Sequence, residues 1–127
     1  MERMPHSVLI IDDEEDIRAV AAMSLETVAG WKVAVASSGA QGVARAEKLR
    51  PEAILLDVMM PGMDGPATFA ALRKNPRTAA IPVVLLTAKT QSSERQQLAK
   101  LGVNGVLTKP FDPLTLAGEI AAILGWS

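Results

Sequence analysis

The sequence predicts an α/β fold: five short strands alternating with five helices in a doubly wound parallel sheet. Three observations predict it. Short apolar runs recur at Val8–Ile11, Ala53–Leu56 and Val83–Leu86 without the alternation of a half-exposed strand, as expected of parallel strands covered on both faces. Between them lie stretches with helical spacing, each closed by Gly or Pro. The ends of strands one, three, four and five carry Asp12 and Asp13, Asp57, Thr87 and Lys109, so the polar chemistry collects at one edge of the sheet.

The first strand, about residues 8–11, breaks into the acidic cluster Asp12, Asp13, Glu14, Glu15, Asp16, where carboxylates suit a helix N-terminus. A helix over about 14–29 follows, with apolar residues at Ile17, Val20, Ala21, Leu25 and Val28 and a stop at Gly30. Lys32–Ala36 reads as the second strand, with Trp31 packed at its edge. Ser37 or Ser38 caps a helix over about 38–49 that Pro51 ends. The central strand, 53–57, ends on Asp57, and Pro61 and Gly62 turn the chain towards Asp64, an N-cap for a helix over 64–74. Strand 83–87 ends on Thr87. The helix over 92–101 opens on Gln91-Ser92-Ser93-Glu94-Arg95-Gln96-Gln97 and has apolar anchors only at Leu98 and Leu101, which predicts weak docking of its N-terminal half. Gly102 is a C-cap candidate, and strand 105–108 leads to Lys109-Pro110. Asp112 as N-cap and Pro113 at the first helical position open the last helix, over 112–124.

At 127 residues the chain predicts one domain, 1–127. A net charge of −1 supplies no basic field for nucleic acid, and the absence of cysteine excludes disulfides and thiol chemistry. No apolar run approaches the ~20 residues of a membrane span, and MERMPHS leads into a strand without a signal-peptide core, so a cytoplasmic protein with no membrane or nucleic-acid contact is expected.

In the flavodoxin-like strand order 2-1-3-4-5, a crevice opens beyond the carboxyl ends of strands one and three. Asp12, Asp13 and Asp57 then face one another. Three close carboxylates repel, which raises the pKa of at least one unless a cation intervenes; Mg²⁺, or Mn²⁺, with oxygen ligands resolves the repulsion. An Asp57 oxygen remains as a nucleophile able to accept a phosphoryl group, Lys109 supplies an ammonium for its oxygens, and Thr87 a hydroxyl.

The blocks VLIIDDEEDIR, LLDVMMPGMDG, PVVLLTA and KPF, in this order and across nearly the whole chain, resemble the receiver domains of two-component response regulators, of the CheY-like kind. The resemblance implies that Asp57 takes phosphate from a histidine kinase or histidine phosphotransfer protein. It implies that Asp13, Asp57 and the backbone carbonyl of Met59 bind Mg²⁺ directly, with Asp12 acting mainly through water. Thr87 would move towards the phosphoryl group and Lys109 would pair with it, beside a cis Lys109-Pro110 bond. Met59 and Lys89 would flank the phosphoryl group and modulate its hydrolysis.

One departure is Val106, where many receivers carry Tyr or Phe as a rotamer switch. The signal is then expected to pass through the Thr87–Gln91 loop and the fourth helix. The last helix has a predicted core stripe Leu116, Ile120, Ile123, Leu124 and an outer face Leu114, Gly118, Ala121, Ala122. With the fourth helix and fifth strand, that outer face is the expected surface for a downstream protein or a self-dimer.

The reading is of a phosphorylation-controlled binding module rather than a turnover enzyme, with at most slow self-phosphorylation and autodephosphorylation. A flavin-binding chain of this architecture needs an anion-accepting loop where this one is acidic. A phosphatase of the haloacid dehalogenase type needs a second acid where Met59 stands. The alternative, a degenerate receiver acting as a phosphorylation-independent interaction module, requires loss of an acid, Thr87 or Lys109, and none is lost. The chain is either a stand-alone regulator or the receiver of a larger protein.

Overall fold

The computed structural model describes residues 5–88 and 91–126. The chain runs β1 (Ser7–Ile11), α1 (Glu15–Ala29), β2 (Lys32–Ala36), α2 (Gly39–Leu49), β3 (Ala53–Asp57), α3 (Gly65–Lys74), β4 (Val83–Thr87), α4 (Ser92–Ala99), β5 (Gly105–Thr108) and α5 (Leu116–Leu124). All strands are parallel and ordered β2-β1-β3-β4-β5, the predicted flavodoxin-like arrangement.

Because successive strand residues point to opposite faces, each apolar run feeds two cores. Leu9, Ile11, Ile54, Leu56, Val83 and Leu85 pack with α2 and α3 through Ala46, Phe69 and Leu72. Val8, Ile10, Leu55, Val84 and Leu86 pack with α1 and α5 through Ala21, Leu25, Leu116, Ala117 and Ile120. Burying both faces is what removes alternation from β3 and β4, every residue of which is buried.

Local signals set most helix ends. Ser38 accepts from Gln41 N at 3.1 Å, settling which serine caps α2, and Asp64 accepts from Ala67 N at 2.9 Å at the start of α3. Gly30 closes α1 at φ 70° in the left-handed region that its missing Cβ permits.

Several expectations need correction. The last helix starts at Leu116, not at 112, with Thr115 at its N-cap. Asp112 instead organises a preceding turn, accepting Leu114 N on Oδ1 at 2.9 Å and Leu116 N on its carbonyl at 3.0 Å. The fourth helix ends at Ala99; its C-cap is Lys100 in the right-handed region, and Gly102, at φ 98°, lies in the turn beyond. Leu101 is exposed and does not anchor that helix, which buries none of its residues. On α1, Val20 and Val28 are exposed, while Ser24 is buried and its hydroxyl donates to the Pro113 carbonyl. On α5, Ala121 is half-buried, whereas Gly118 and Ala122 are exposed, as is Leu114 in the turn before it. Trp31 is a packing residue, edge-on to both His6 and Trp126.

Candidate functional site

The carboxyl ends of β1, β3 and β4 bring the polar strand-end residues together. β1 and β3 are neighbours, with Ile11 level with Leu56, so Asp12 and Asp57, each one residue further along, stand side by side. Both are buried, at 1% and 3% exposed, whereas Asp13 is exposed. Ligand oxygens of Asp12, Asp13 and Asp57 lie within 4.8 Å of one another. Glu14 N–H donates to Asp12 Oδ1 at 2.9 Å, and the Arg18 guanidinium donates to the Asp12 carbonyl at 2.9 Å, which fixes the β1–α1 loop.

Lys109 arrives from the end of β5 through backbone geometry. Thr108 pairs with Thr87, and Lys109 N–H donates to the Thr87 carbonyl at 2.7 Å, so these two sequence-selected residues are tied together. Thr87 is fully buried. The Lys109-Pro110 bond is cis. Lys109 Nζ lies 3.0 Å from Asp12 Oδ2, 3.1 Å from Asp57 Oδ1 and 3.7 Å from Glu14 Oε1.

This cation does not satisfy the pocket. Among the described residues Asp57 Oδ2 has no hydrogen-bond partner, and neither has Asp12 Oδ2, which meets Lys109 at ion-pair distance without hydrogen-bond geometry. Burial, then the Asp12 charge, pushes the Asp57 carboxyl up to about 6; Lys109 and the Met59 N–H pull the other way and lose. Burial by itself would depress the Lys109 ammonium, but the adjacent Asp12 and Asp57 carboxylates prevail and hold it above the usual lysine value. A buried pocket with two carboxylates to one ammonium and two unsatisfied oxygens fits a hard divalent cation, for which Asp12, Asp13 and Asp57 provide the oxygen chemistry.

Among the remaining selected residues, the Met59 side chain is exposed and its N–H bonds Asp57. Lys89 lies outside the described residues. Val106 is half-buried against the α2–α3 core.

Sequence reading missed three contributors. Glu14 reads from sequence only as a helix-start charge, and Arg18 carries no distinctive sequence signal. Gly65 is not among the residues selected from sequence, yet an added Cβ there would come within 2.7 Å of both the Asp57 carbonyl oxygen and Val58 Cα. Gly65 N–H donates to the Val58 carbonyl at 2.9 Å, so α3 starts directly against the end of β3. A glycine one residue after an N-cap acid is the signal that could have found it.

The arrangement places an acidic, lysine-paired pocket at the carboxyl edge of a doubly wound sheet. The family model for the response regulator receiver domain matches residues 8–121, and the chain belongs to that family. It is 40% identical over 117 residues to the DNA-binding dual master transcriptional regulator RpaA of Synechocystis sp., covering 92% of this chain and 48% of that protein. The chain thus spans about half the length of the first curated relatives it matches. The chemotaxis response regulator CheY4 of Vibrio cholerae superposes with a TM-score of 0.87 at 32% identity, over 94% of this chain and 99% of that one. The receiver domain of a Pseudomonas aeruginosa sensor histidine kinase, solved with a magnesium ion coordinated in its active-site cleft, gives a TM-score of 0.84 at 27% identity, over 96% and 99%.

Proposed function

We propose that Asp57 is the phosphoacceptor, taking a phosphoryl group from a histidine kinase or histidine phosphotransfer protein. The observation that carries this reading is the buried Asp12–Asp57 pair sharing Lys109 while Asp12 Oδ2 and Asp57 Oδ2 have no hydrogen-bond partner among the described residues. An Asp57 oxygen attacks phosphorus as the P–N bond of the phosphohistidine breaks, and the imidazole leaves with its electron pair. Lys109, 3.1 Å from Asp57, remains beside the phosphoryl oxygens as a fixed positive charge. Asp13, Asp57 and the Met59 carbonyl would hold Mg²⁺, or Mn²⁺, directly, with Asp12 mainly through water. Bound there, the ion supplies charge that offsets the carboxylates and the transferred group. The protein is a switch with at most slow self-phosphorylation and autodephosphorylation, acting in the cytoplasm.

The output passes through Thr87, which turns towards the phosphoryl group, into the loop to Gln91 and α4. Two features support this route: half-buried Val106 offers no aromatic rotamer to swing, and α4 buries no residue, so displacing it costs little packing. The face of α4, β5 and α5 then receives a downstream protein or a second copy.

The test is incubation with Mg²⁺ and acetyl phosphate or phosphoramidate, followed by intact-mass measurement. The wild-type chain gains one phosphoryl group and Asp57→Asn gains none. No gain in the wild type, or an equal gain in the variant, would falsify the assignment.

A further inference from the structure

Glu14 has no part in the mechanism above, yet it touches both sides of the site. It occupies the N-cap of α1, where short side chains that bond back to the helix are favoured, and its side chain makes no such bond. Its N–H holds Asp12 Oδ1 at 2.9 Å, and its carboxylate stands 3.7 Å from Lys109 Nζ. Of the three carboxylates around that ammonium, Asp12 and Asp57 are buried, whereas the Glu14 side chain is 61% exposed. The solvent-facing share of the Lys109 charge is therefore partly cancelled by Glu14.

Resting on the assignment of Asp57 as phosphoacceptor, we propose that Glu14 is a positioning residue that screens Lys109 from incoming phosphate-bearing anions and so sets how strongly the crevice draws in its phosphodonor. A donor phosphoryl group needs the ammonium that Glu14 flanks. Removing the Glu14 charge leaves the Asp12–Lys109–Asp57 set in place and presents the donor with a less compensated cation. The covalent step is unchanged; only encounter and binding of the anion differ. Because Glu14 is solvent-exposed, the effect is sensitive to salt, unlike one transmitted through the buried pair.

The experiment compares the full chain with Glu14→Gln and Glu15→Gln, which change net charge equally, although Glu15 makes no contact with Lys109 among the described contacts. Phosphorylation by acetyl phosphate at saturating Mg²⁺ is followed by intact mass at low salt and in added KCl. Glu14→Gln is expected to raise the second-order rate constant about three- to fivefold at low ionic strength, falling towards wild type at about 0.5 M KCl. Glu15→Gln is expected to give a clearly smaller rise. An unchanged or slower Glu14→Gln, an equal rise in Glu15→Gln, or a rise that persists in high salt overturns the proposal. A wild-type chain that gains no phosphoryl group fails earlier, on Asp57 itself, and takes this proposal with it.

Discussion

Lys109 Nζ faces two buried carboxylates and one exposed one, and its loss has a pH signature. Lys109 helps to hold the Asp57 carboxyl down to about 6, so in Lys109→Met it titrates higher still; at pH 8 the variant must keep a buried carboxylate without its cation or take up a proton, whereas at pH 5 Asp57 is already protonated with or without Lys109. Urea unfolding without Mg²⁺ should show a loss of about 3 kcal/mol at pH 8 and well under half of it at pH 5. A loss equal at both pH values would mean that Lys109 acts through packing. The wild type carries its own linkage. Asp57 is raised from 3.8 to about 6 on folding, so between those values the folded chain holds a proton that the unfolded chain has released, and this group's contribution to stability declines as pH rises through that window. Lys109, raised in the folded state, contributes stability that is present below its unfolded value of 10.5 and is lost only as pH climbs through the higher folded one.

At the scale of elements, two glycines make opposite predictions. At Gly65, a Cβ would meet backbone at 2.7 Å, so Gly65→Ala must push α3 away from β3; the expected cost is about 2 kcal/mol, with slower phosphorylation because Val58 and Asp57 shift with it. At Gly118, within α5, a Cβ meets nothing within 4 Å, and Gly118→Ala should stabilise the fold by about 0.5–1 kcal/mol in the same urea assay. Helix α4 differs from its neighbours in burying no residue, with Leu98 only packed against the α2–α3 core. Its amides should exchange with deuterium well before those of α1, which buries Ala21, Ser24 and Leu25. Protection of α4 equal to that of α1 would contradict the proposed output route.

For the whole molecule, the proposed function assigns two tasks to different parts of the fold. One end holds the acids and Lys109, while Gly118 and Ala122 of α5 and Leu114 just before it are exposed to solvent. Ala122→Lys should weaken any phosphorylation-dependent association, measured by light scattering or by binding of the partner, without altering mass gain at Asp57. Ala121 is the poorer probe because it is half-buried, and a lysine there would disturb packing as well.

The sequence by itself determined the five-strand parallel sheet and the residues at its carboxyl edge, because doubly buried strands must be apolar throughout and any polar residue ending them is conspicuous. Asp12, Asp57, Thr87 and Lys109 were legible for that reason. Element ends were less so where two local signals compete: Asp112 and Pro113 satisfy the rules of a helix start, yet Asp112 closes a separate turn and α5 begins at Leu116. Only the tertiary structure decided that Val20 and Val28 of α1 are exposed while Ser24 is buried against Pro113, since packing, not spacing, chooses which stripe of a weakly amphipathic helix faces inward. It also decided the sharing of Lys109 among Asp12, Asp57 and Glu14, and the contact that requires Gly65. The sharing of Lys109 depends on distances between segments far apart in the chain, which no local pattern encodes, whereas the Gly65 contact depends on how closely α3 starts against the end of β3.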